Sequence, residues 1–196
     1  MGQNQQVQDW DLIAGLVDDH PTEGVYAAVL VPLYEIEERV HVLLTKRPMH
    51  MPTHKGHLAF PGGKPQDDDG GPVGTALREA HEEVGIEPDA VDVLGFLEPI
   101  HTVEYTRFVV PVVGRIAPRP DLVPDPGEVD RILEPGLAGL AETETWWHEE
   151  WEGRHVWFCD VEDEILWGAT ATMTRRLLGL PDRAPNGTPP AGRWQR

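Results

Sequence analysis

The stretch FPGGKPQDDDGGPVGTALREAHEEVGI, from Phe60 to Ile86, decides how this chain folds. Its first half is rich in turn-forming Gly, Pro and Asp, and its second half has helical periodicity from Val73 to Val84. One stripe of the predicted helix is apolar, and another carries Glu79, Glu82 and Glu83. Like charges at this spacing destabilise a helix by about 0.2–0.5 kcal/mol per pair. We therefore expect a cation to lie beside this acidic stripe.

The predicted cation is Mg²⁺ or Mn²⁺. Carboxylates are hard oxygen donors that suit these ions, whereas zinc sites are usually built from Cys or His. Glycine lets the backbone approach closely, so the carbonyl of Gly62 is expected to add an oxygen ligand. The predicted metal ligands are Gly62, Glu79, Glu82 and Glu83. On the same helix, Arg78 is expected to pair with an acidic residue of the preceding loop, such as Asp69.

Length and charge limit the class of protein. The 196 residues suffice for one domain with a hydrophobic core, predicted over residues 23–180, with a flexible tail over residues 181–196. The 34 acidic and 16 basic residues give a formal charge of −18, which argues against binding to nucleic acid or an anionic membrane. A small-molecule partner is therefore expected.

The single Cys159 excludes a disulfide framework and fits a reducing compartment. No apolar run approaches the roughly 20 residues of a membrane span, and the polar start lacks the apolar core of a signal peptide. The sequence thus predicts a cytoplasmic protein.

Apolar runs and amphipathic patterns predict the other elements. They are a polar segment and short helix within residues 1–22 that includes Leu16 and Val17, strands over Val25–Leu33, Val40–Thr45, Val91–Leu97, Phe108–Ile116 and Glu128–Leu133, a short helix over Glu134–Glu142, a hairpin from Thr143 that turns at Glu152 and Gly153, and a helix over Ala169–Leu180. Pro111 should lie at a sheet edge or bulge, because proline cannot donate to a ladder. The proline-rich run Ala117–Asp130 is interpreted as a stiff surface connection.

Four tryptophans lie in the predicted hairpin: Trp146, Trp147, Trp151 and Trp157. They can form a base-stacking platform, pack across the strands or build a dimer face. Cross-strand packing or a dimer face is the favoured interpretation.

The stretch from Gly63 to Ile86 resembles the Nudix box, which usually reads Gly, five residues, Glu, seven residues, then Arg-Glu-apolar-x-Glu-Glu-x-Gly-apolar. The second half matches without exception, from Arg78 to Ile86. In the first half, Asp69 stands in place of the usual Glu, and eight residues separate it from Arg78.

This departure resembles the coenzyme A pyrophosphatase branch of the family. Members of that branch commonly have Asp at this position, and carry upstream the signature LLTxR, then x-His-x-Gly, then AFPGG. The chain has Leu43, Leu44, Thr45, Arg47, His54, Gly56 and Ala59 to Gly63 at the corresponding places. It departs from many members at Pro48, at Pro52 and in the loop Pro99–Arg107, and these positions lie where substrate would be recognised.

The resemblance implies an α+β fold, a Nudix-type α/β/α sandwich with a mixed β-sheet between helices, plus a C-terminal hairpin and helix. It implies Mg²⁺- or Mn²⁺-dependent hydrolysis of a diphosphate linked to another moiety, with coenzyme A or a CoA derivative as the first candidate substrate. ADP-ribose and nucleoside triphosphates remain alternatives, as does a non-catalytic domain that binds a nucleotide. A homodimer is also compatible with the resemblance.

The resemblance also implies roles for individual residues. Glu79 is the first candidate for the group that activates water, Glu82 is the second and Glu104 the third, and Arg78 is oriented by Asp69. The candidate substrate-binding residues are Arg47, Lys55, Lys64 and His54.

Overall fold

The computed structural model of the protein describes residues 9–20, 23–101, 108–151 and 154–181. The strands in chain order are β1 (Leu16–Val17), β2 (Val25–Ile36), β3 (Arg39–Val42), β4 (Leu44–Lys46), β5 (Leu58–Ala59), β6 (Gly62–Gly63), β7 (Val91–Leu97), β8 (Ile100–His101), β9 (Phe108–Ile116), β10 (Arg131–Leu133), β11 (Trp146–Trp151), β12 (Arg154–Val161) and β13 (Glu164–Trp167). The α-helices whose bounds both lie within the described residues are α1 (Pro72–Val84), α2 (Leu137–Ala141) and α3 (Gly168–Leu177). None of these described helices is long and apolar enough to cross a membrane.

The largest sheet has seven strands in the order β1-β7-β9-β2-β3, with β6 paired to β2 and β8 paired to β9. Strands β2 and β9 run parallel in its centre, whereas their other neighbours pair antiparallel. Both central strands are nearly continuous apolar runs, as expected for strands that are covered on both faces. Two three-stranded sheets, β10-β4-β5 and β11-β12-β13, complete the architecture.

Helices cover the central sheet from two sides. Ala76, Ala80 and Val84 of α1 share one core cluster with Leu30 of β2 and Val112 of β9. The second cluster joins the alternate residues of β2 and β9 to α2, α3 and the C-terminal sheet. The predicted sandwich and its C-terminal hairpin and helix are therefore confirmed, and β13 is an additional strand that the sequence did not reveal.

The predicted N-terminal helix is wrong at Leu16 and Val17. These residues form β1 and pair with Leu97 and Phe96 of β7. Just before them, the backbone N–H of Gly15 donates to the Leu177 carbonyl at 3.4 Å. The open edge of β7 and the end of α3 thus offer hydrogen bonds that override the local helical pattern.

Pro111 does not lie at a sheet edge. It is inside β9 and pairs with Val29 of β2, so the edge alternative of the predicted edge or bulge is wrong. On the other side of β9 the ladder passes from Phe96 of β7 to Ile100 of β8. A missing N–H therefore interrupts no continuous ladder on that side, which explains why the strand accepts a proline.

The aromatic hairpin pairs as predicted, with Trp147 opposite Phe158, while its turn residues 152 and 153 lie outside the described part of the chain. Trp146, Trp147 and Trp157 are only 6–7% exposed, and the rings of Trp147 and Phe158 are stacked 5.7 Å apart. This burial confirms cross-strand packing and leaves no base-stacking platform at these three residues. The side chain of Trp151 is not among those described, and a homodimer stays a prediction.

Candidate active site

Helix α1 starts and stops at residues with defined backbone roles. Pro72 occupies the first turn, where its missing N–H has no intrahelical partner to lose. Gly85 ends the helix in the left-handed conformation, with φ 75°, and its N–H donates to the His81 carbonyl. The apolar stripe of α1 faces β2, and this orientation turns Glu79 and Glu83 toward the two glycines of β6.

Glu83 is the most buried of the three helix glutamates, with only 5% of its surface exposed. Its Oε1 accepts the backbone N–H of Gly62 at 3.3 Å. Burial raises the pKa of Glu83 to about 8, and the charges of Glu128 and Glu79 add to the increase, whereas the Gly62 N–H and Arg47 oppose it. A cation beside this carboxylate would keep it ionised at neutral pH.

Glu79 is half-buried against the backbone of β6. A Cβ atom at Gly63 would lie 2.4 Å from the Oε1 of Glu79, so a larger residue there would displace the carboxylate from this position. Burial raises the pKa of Glu79, and Arg78 opposes the shift. Glu82 has a side chain that is 54% exposed. The three glutamates of the acidic stripe are therefore buried to different degrees. Glu79 and Glu83 are four residues apart and lie on the same face of α1, above β6, whereas Glu82 lies on the solvent side.

The predicted pairing of Arg78 with Asp69 is confirmed. The Nε of Arg78 donates to Oδ1 of Asp69 at 2.7 Å and its Nη2 donates to Oδ2 at 3.1 Å. The Arg78 guanidinium holds the pKa of Asp69 far below its usual range. Arg78 also donates to the Lys64 carbonyl at 3.0 Å, so the approach loop is tied to the helix.

The same guanidinium contacts two of the candidate catalytic residues. Its Nη1 lies 3.0 Å from Oε1 of Glu79 and 2.9 Å from Oε2 of Glu82. Arg78 therefore fixes the orientation of both carboxylates while Asp69 fixes Arg78. The third candidate, Glu104, lies outside the described residues.

Arg47 is the candidate substrate-binding residue that the fold brings to the glutamates. It lowers the pKa of Glu83, and among the described residues its buried Nε has no hydrogen-bond partner. Its backbone N–H donates to the His57 carbonyl and its carbonyl accepts the N–H of Gly56, which closes the loop between them. Because an unpaired buried guanidinium nitrogen is unfavourable, Arg47 is suited to receive an anionic ligand.

The other candidate substrate-binding residues lie farther out. Lys55 and His54 are exposed at the tip of the loop that Arg47 begins, and the side chain of Lys64 is exposed at the start of the approach loop. His57 was not among the candidate substrate-binding residues, and its half-buried ring meets Trp167 edge-on at 4.5 Å. Burial lowers the pKa of His57, and His54 and Arg47 lower it further.

Glu128 is the acidic residue that sequence reasoning missed. Its charge contributes to the raised pKa of both Glu79 and Glu83, after the larger effect of burial. It lies on the proline-rich run, which is more than a surface connection because the N–H of Asp125 donates to the Glu83 carbonyl at 2.9 Å. An isolated Glu in an aperiodic stretch carries no pattern that would single it out.

The donor set of this region fits a hard divalent cation. Glu79 and Glu83 lie against the adjacent glycines of β6, Arg47 is a nearby positive charge, and the buried Glu83 gains most from a cation. Over the described ranges, no three His, Cys, Asp or Glu side chains form a ready-made metal cluster. Mg²⁺ usually binds through one or two carboxylates together with water and substrate phosphates, so it does not need such a cluster. The ligand set Gly62, Glu79, Glu82 and Glu83 stays a prediction.

Comparisons with known proteins identify the family and the fold of this chain. The sequence matches the family model described as NUDIX domain over residues 24–154. An uncharacterized Nudix hydrolase, NudL, of Shigella flexneri serotype 5b is 34% identical over 172 residues, which cover 86% of this chain and 88% of that protein. NudL of Escherichia coli strain K12 is 37% identical over 155 residues, covering 77% and 80% respectively. The solved structure of a Nudix hydrolase from M. Smegmatis, RenU, aligns with a TM-score of 0.51 at 22% identity, over 61% of this chain and 74% of that one, and shares the fold.

Proposed function

This chain belongs to the NUDIX domain family and is a Nudix hydrolase, and from that premise we propose that it cleaves the diphosphate bond of coenzyme A or a CoA derivative with Mg²⁺ or Mn²⁺. The products are phosphopantetheine and 3′,5′-ADP. Residues 23–180 act as one catalytic unit, and the proposed setting is the cytoplasm.

The burial of Glu83 is the observation that carries the proposal. A carboxylate that is 95% withdrawn from solvent beside Glu79 and Glu128 is unfavourable as an anion in the free protein. A divalent cation held there would supply the missing positive charge and would polarise the phosphoryl oxygens of a bound diphosphate. Glu83, Glu79 and Glu82, with the Gly62 carbonyl, are the proposed ligands.

The remaining residues orient water and substrate. Glu79 is proposed to take the proton of the attacking water, because it is half-buried, is held by Arg78 and has a raised pKa. Glu82 and then Glu104 are the next candidates for this role. Arg78, fixed by Asp69, keeps the carboxylates in place as charge develops on the phosphate.

Two motifs near Arg47 support a CoA-like substrate. LLTKR and AFPGG lie side by side, since Thr45 pairs with Ala59 and its hydroxyl donates to the Ala59 carbonyl at 3.2 Å. The loop that begins at Arg47 and carries His54 and Lys55 therefore stands next to the glycines of β6. With Lys64 these are the proposed phosphate contacts, and local cations of this kind are needed on a chain with formal charge −18.

The test is turnover of CoA, acyl-CoA, ADP-ribose, NADH and nucleoside triphosphates by the purified protein with Mg²⁺ or Mn²⁺. Formation of phosphopantetheine and 3′,5′-ADP as the preferred reaction supports the proposal. Preference for ADP-ribose or a triphosphate would replace the substrate while keeping the chemistry. Tight binding of one compound with turnover of none would overturn the catalytic assignment.

A further inference from the structure

Three aromatic side chains form a row across the C-terminal sheet β11-β12-β13. Trp147 of β11 pairs with Phe158 of β12, which in turn pairs with Trp167 of β13. The ring centroids of Trp147 and Phe158 are 5.7 Å apart and those of Phe158 and Trp167 are 6.2 Å apart, with interplanar angles of 14° and 11°. Trp147 and Phe158 are buried, whereas Trp167 is half-buried. Aromatic surface of this row is therefore accessible mainly at Trp167.

His57 continues the row toward the loop that begins at Arg47. Its half-buried ring meets the ring of Trp167 at 4.5 Å, with an interplanar angle of 62°. A hydrogen bond fixes the two segments to each other, because the hydroxyl of Thr170, in the first turn of α3, donates to the Leu58 carbonyl at 3.0 Å. Two half-buried rings from distant parts of the sequence thus form one aromatic site.

The aromatic site lies beside Arg47, a proposed phosphate contact. The N–H of Arg47 donates to the His57 carbonyl and the N–H of Gly56 donates to the Arg47 carbonyl, both at 3.0 Å. Gly56 has a φ of 69°, so Gly56 and His57 form a glycine bulge opposite Arg47 that continues the pairing of β4 with β5. Residues opposite each other in an antiparallel pair have Cβ atoms about 5 Å apart. The bulge therefore places the His57 ring next to the arginine.

A neutral planar group fits the aromatic site better than a second phosphate. Burial lowers the pKa of His57, and His54 and Arg47 lower it further, so the imidazole is uncharged at neutral pH. An uncharged ring offers a phosphate no opposite charge, whereas aromatic side chains stack on the face of any nucleobase. In CoA one ribose separates the adenine from the diphosphate, so a base held at His57 leaves the diphosphate within reach of Arg47.

We propose that His57 and Trp167 form the nucleobase-binding site, where the adenine of CoA stacks on their accessible ring surface while Arg47 contacts the adjoining phosphate. The inference rests on the proposed function for the identity of the base, and it deepens that function by naming residues that bind the nucleoside part of the substrate. His57 acts through its flat ring and not through a proton. Phe at this position should therefore replace it, whereas Ala or Leu should not.

The experiment measures binding of the two proposed products to the purified protein by isothermal titration calorimetry. The product 3′,5′-ADP carries the adenine, and phosphopantetheine carries no base. His57→Ala and the bulkier His57→Leu are each expected to weaken 3′,5′-ADP binding about tenfold, as is usual when an aromatic partner of a base is removed, and to leave phosphopantetheine binding unchanged. His57→Phe is expected to bind 3′,5′-ADP like the native protein.

His50→Ala is the matched control. It removes an imidazole from an exposed position of the same loop and is expected to leave the affinity for both products unchanged. Steady-state kinetics with CoA give a second readout. His57→Ala should raise KM about tenfold with kcat near the native value, because the base is bound equally before and during the reaction.

Several results would overturn the inference. They are native affinity for 3′,5′-ADP in His57→Ala and His57→Leu, an equal loss of affinity for both products, or an equal loss in His50→Ala. A loss in His57→Phe as large as in His57→Ala would do the same, because it would assign His57 to hydrogen bonding or charge. A lower Tm with unchanged affinity would show a merely structural role.

Turnover of CoA separates failure of this inference from failure of the proposed function. If CoA is hydrolysed and His57→Ala keeps the native KM and the native affinity for 3′,5′-ADP, only the nucleobase-binding site is wrong. If 3′,5′-ADP binds with the expected dependence on His57 but CoA is not hydrolysed, the nucleobase-binding site stands and the proposed substrate is wrong. If the native protein does not bind 3′,5′-ADP, the inference falls whatever the result for turnover.

Discussion

The two ends of α1 are held by contacts of different range. Before the start of the helix, Asp69 accepts hydrogen bonds from Thr75 and Arg78, which are six and nine residues farther along the chain. At its end, the carbonyls of Glu83 and Val84 accept N–H groups from a segment that comes much later in the chain. The contacts of Asp69 form a local anchor, because they join residues of one short motif. The contacts at the end of the helix form a long-range anchor, because they depend on the fold. The site between the two ends therefore depends on both kinds of contact.

Glu83→Gln removes the most buried carboxylate of the site, and this substitution should have the largest effect on turnover. Loss of a metal ligand forfeits several kcal/mol of transition-state stabilisation, so turnover should fall about a thousandfold. Gln has almost the same shape and can still accept the Gly62 N–H, so Tm should not fall. Steady-state kinetics and thermal unfolding check both expectations. Loss of activity together with unfolding would contradict this account of Glu83.

The metal-free protein should lose stability as pH rises, because the folded-state pKa of Glu83, about 8, is above its ordinary value. The contribution of the protonated carboxyl is fully present below the ordinary carboxyl pKa and disappears as pH rises through about 8. Chemical denaturation from pH 5 to pH 9 measures it. Glu83→Gln is the matched control and should flatten this decline, and a decline that persists in the variant would assign the effect to another group.

Asp69→Ala breaks the local anchor. The Asp69 side chain is 4% exposed and the Arg78 side chain 21%, so Asp69→Ala removes largely buried, charge-assisted hydrogen bonds. Because Glu79 and Glu82 still contact the guanidinium, the loss should be about 1.5–3 kcal/mol of unfolding free energy. Because the pKa of Asp69 is held below its ordinary range, its contribution is present above pH 4 and is lost as pH falls. Urea denaturation at pH 7 and pH 3 measures both statements. A variant as stable as the native protein at pH 7 would show that the anchor is unimportant.

Gly62→Ala and Gly63→Ala form a matched pair next to the site. A Cβ at Gly62 would lie 2.4 Å from the Ala28 carbonyl oxygen, which is backbone, so this change should destabilise the fold by about 1–3 kcal/mol. A Cβ at Gly63 would instead displace the Glu79 carboxylate, so turnover should fall about tenfold to a hundredfold with a smaller change in Tm. Thermal unfolding and kinetics of both variants test the contrast, and equal effects on Tm and turnover would remove it.

Gly85→Ala changes the end of α1 that contacts the proline-rich segment, and it should have the smallest effect on stability. A non-glycine residue in the left-handed conformation costs about 1–2 kcal/mol, and the new Cβ would lie 3.2 Å from that of Val123. The loss of stability, followed by urea denaturation, should be smaller than that of Asp69→Ala. A larger loss would mean that the proline-rich segment anchors α1 more strongly than the Asp69 pair does.

The pattern of successful and failed predictions follows the range of the contacts. Periodicity located α1 and the central strands, because burial of one face imposes a repeat on neighbouring residues. It misassigned Leu16 and Val17, whose strand exists only because the edge of β7 is open to them. Pro111 was misplaced for a related reason, since the change of partner from β7 to β8 cannot be seen in the sequence of β9.

The sequence by itself determined the helix with its acidic stripe, the pairing of Arg78 with Asp69 and the family of the chain, because these depend on spacing within one short stretch. Only the tertiary structure decided that Glu83 is buried while Glu82 is exposed, and that Glu128 and Arg47 lie near it. Burial and charge proximity arise from segments that meet after the chain has folded. A local motif therefore supplies the carboxylates, and the surrounding fold determines how far burial raises the pKa of Glu79 and of Glu83.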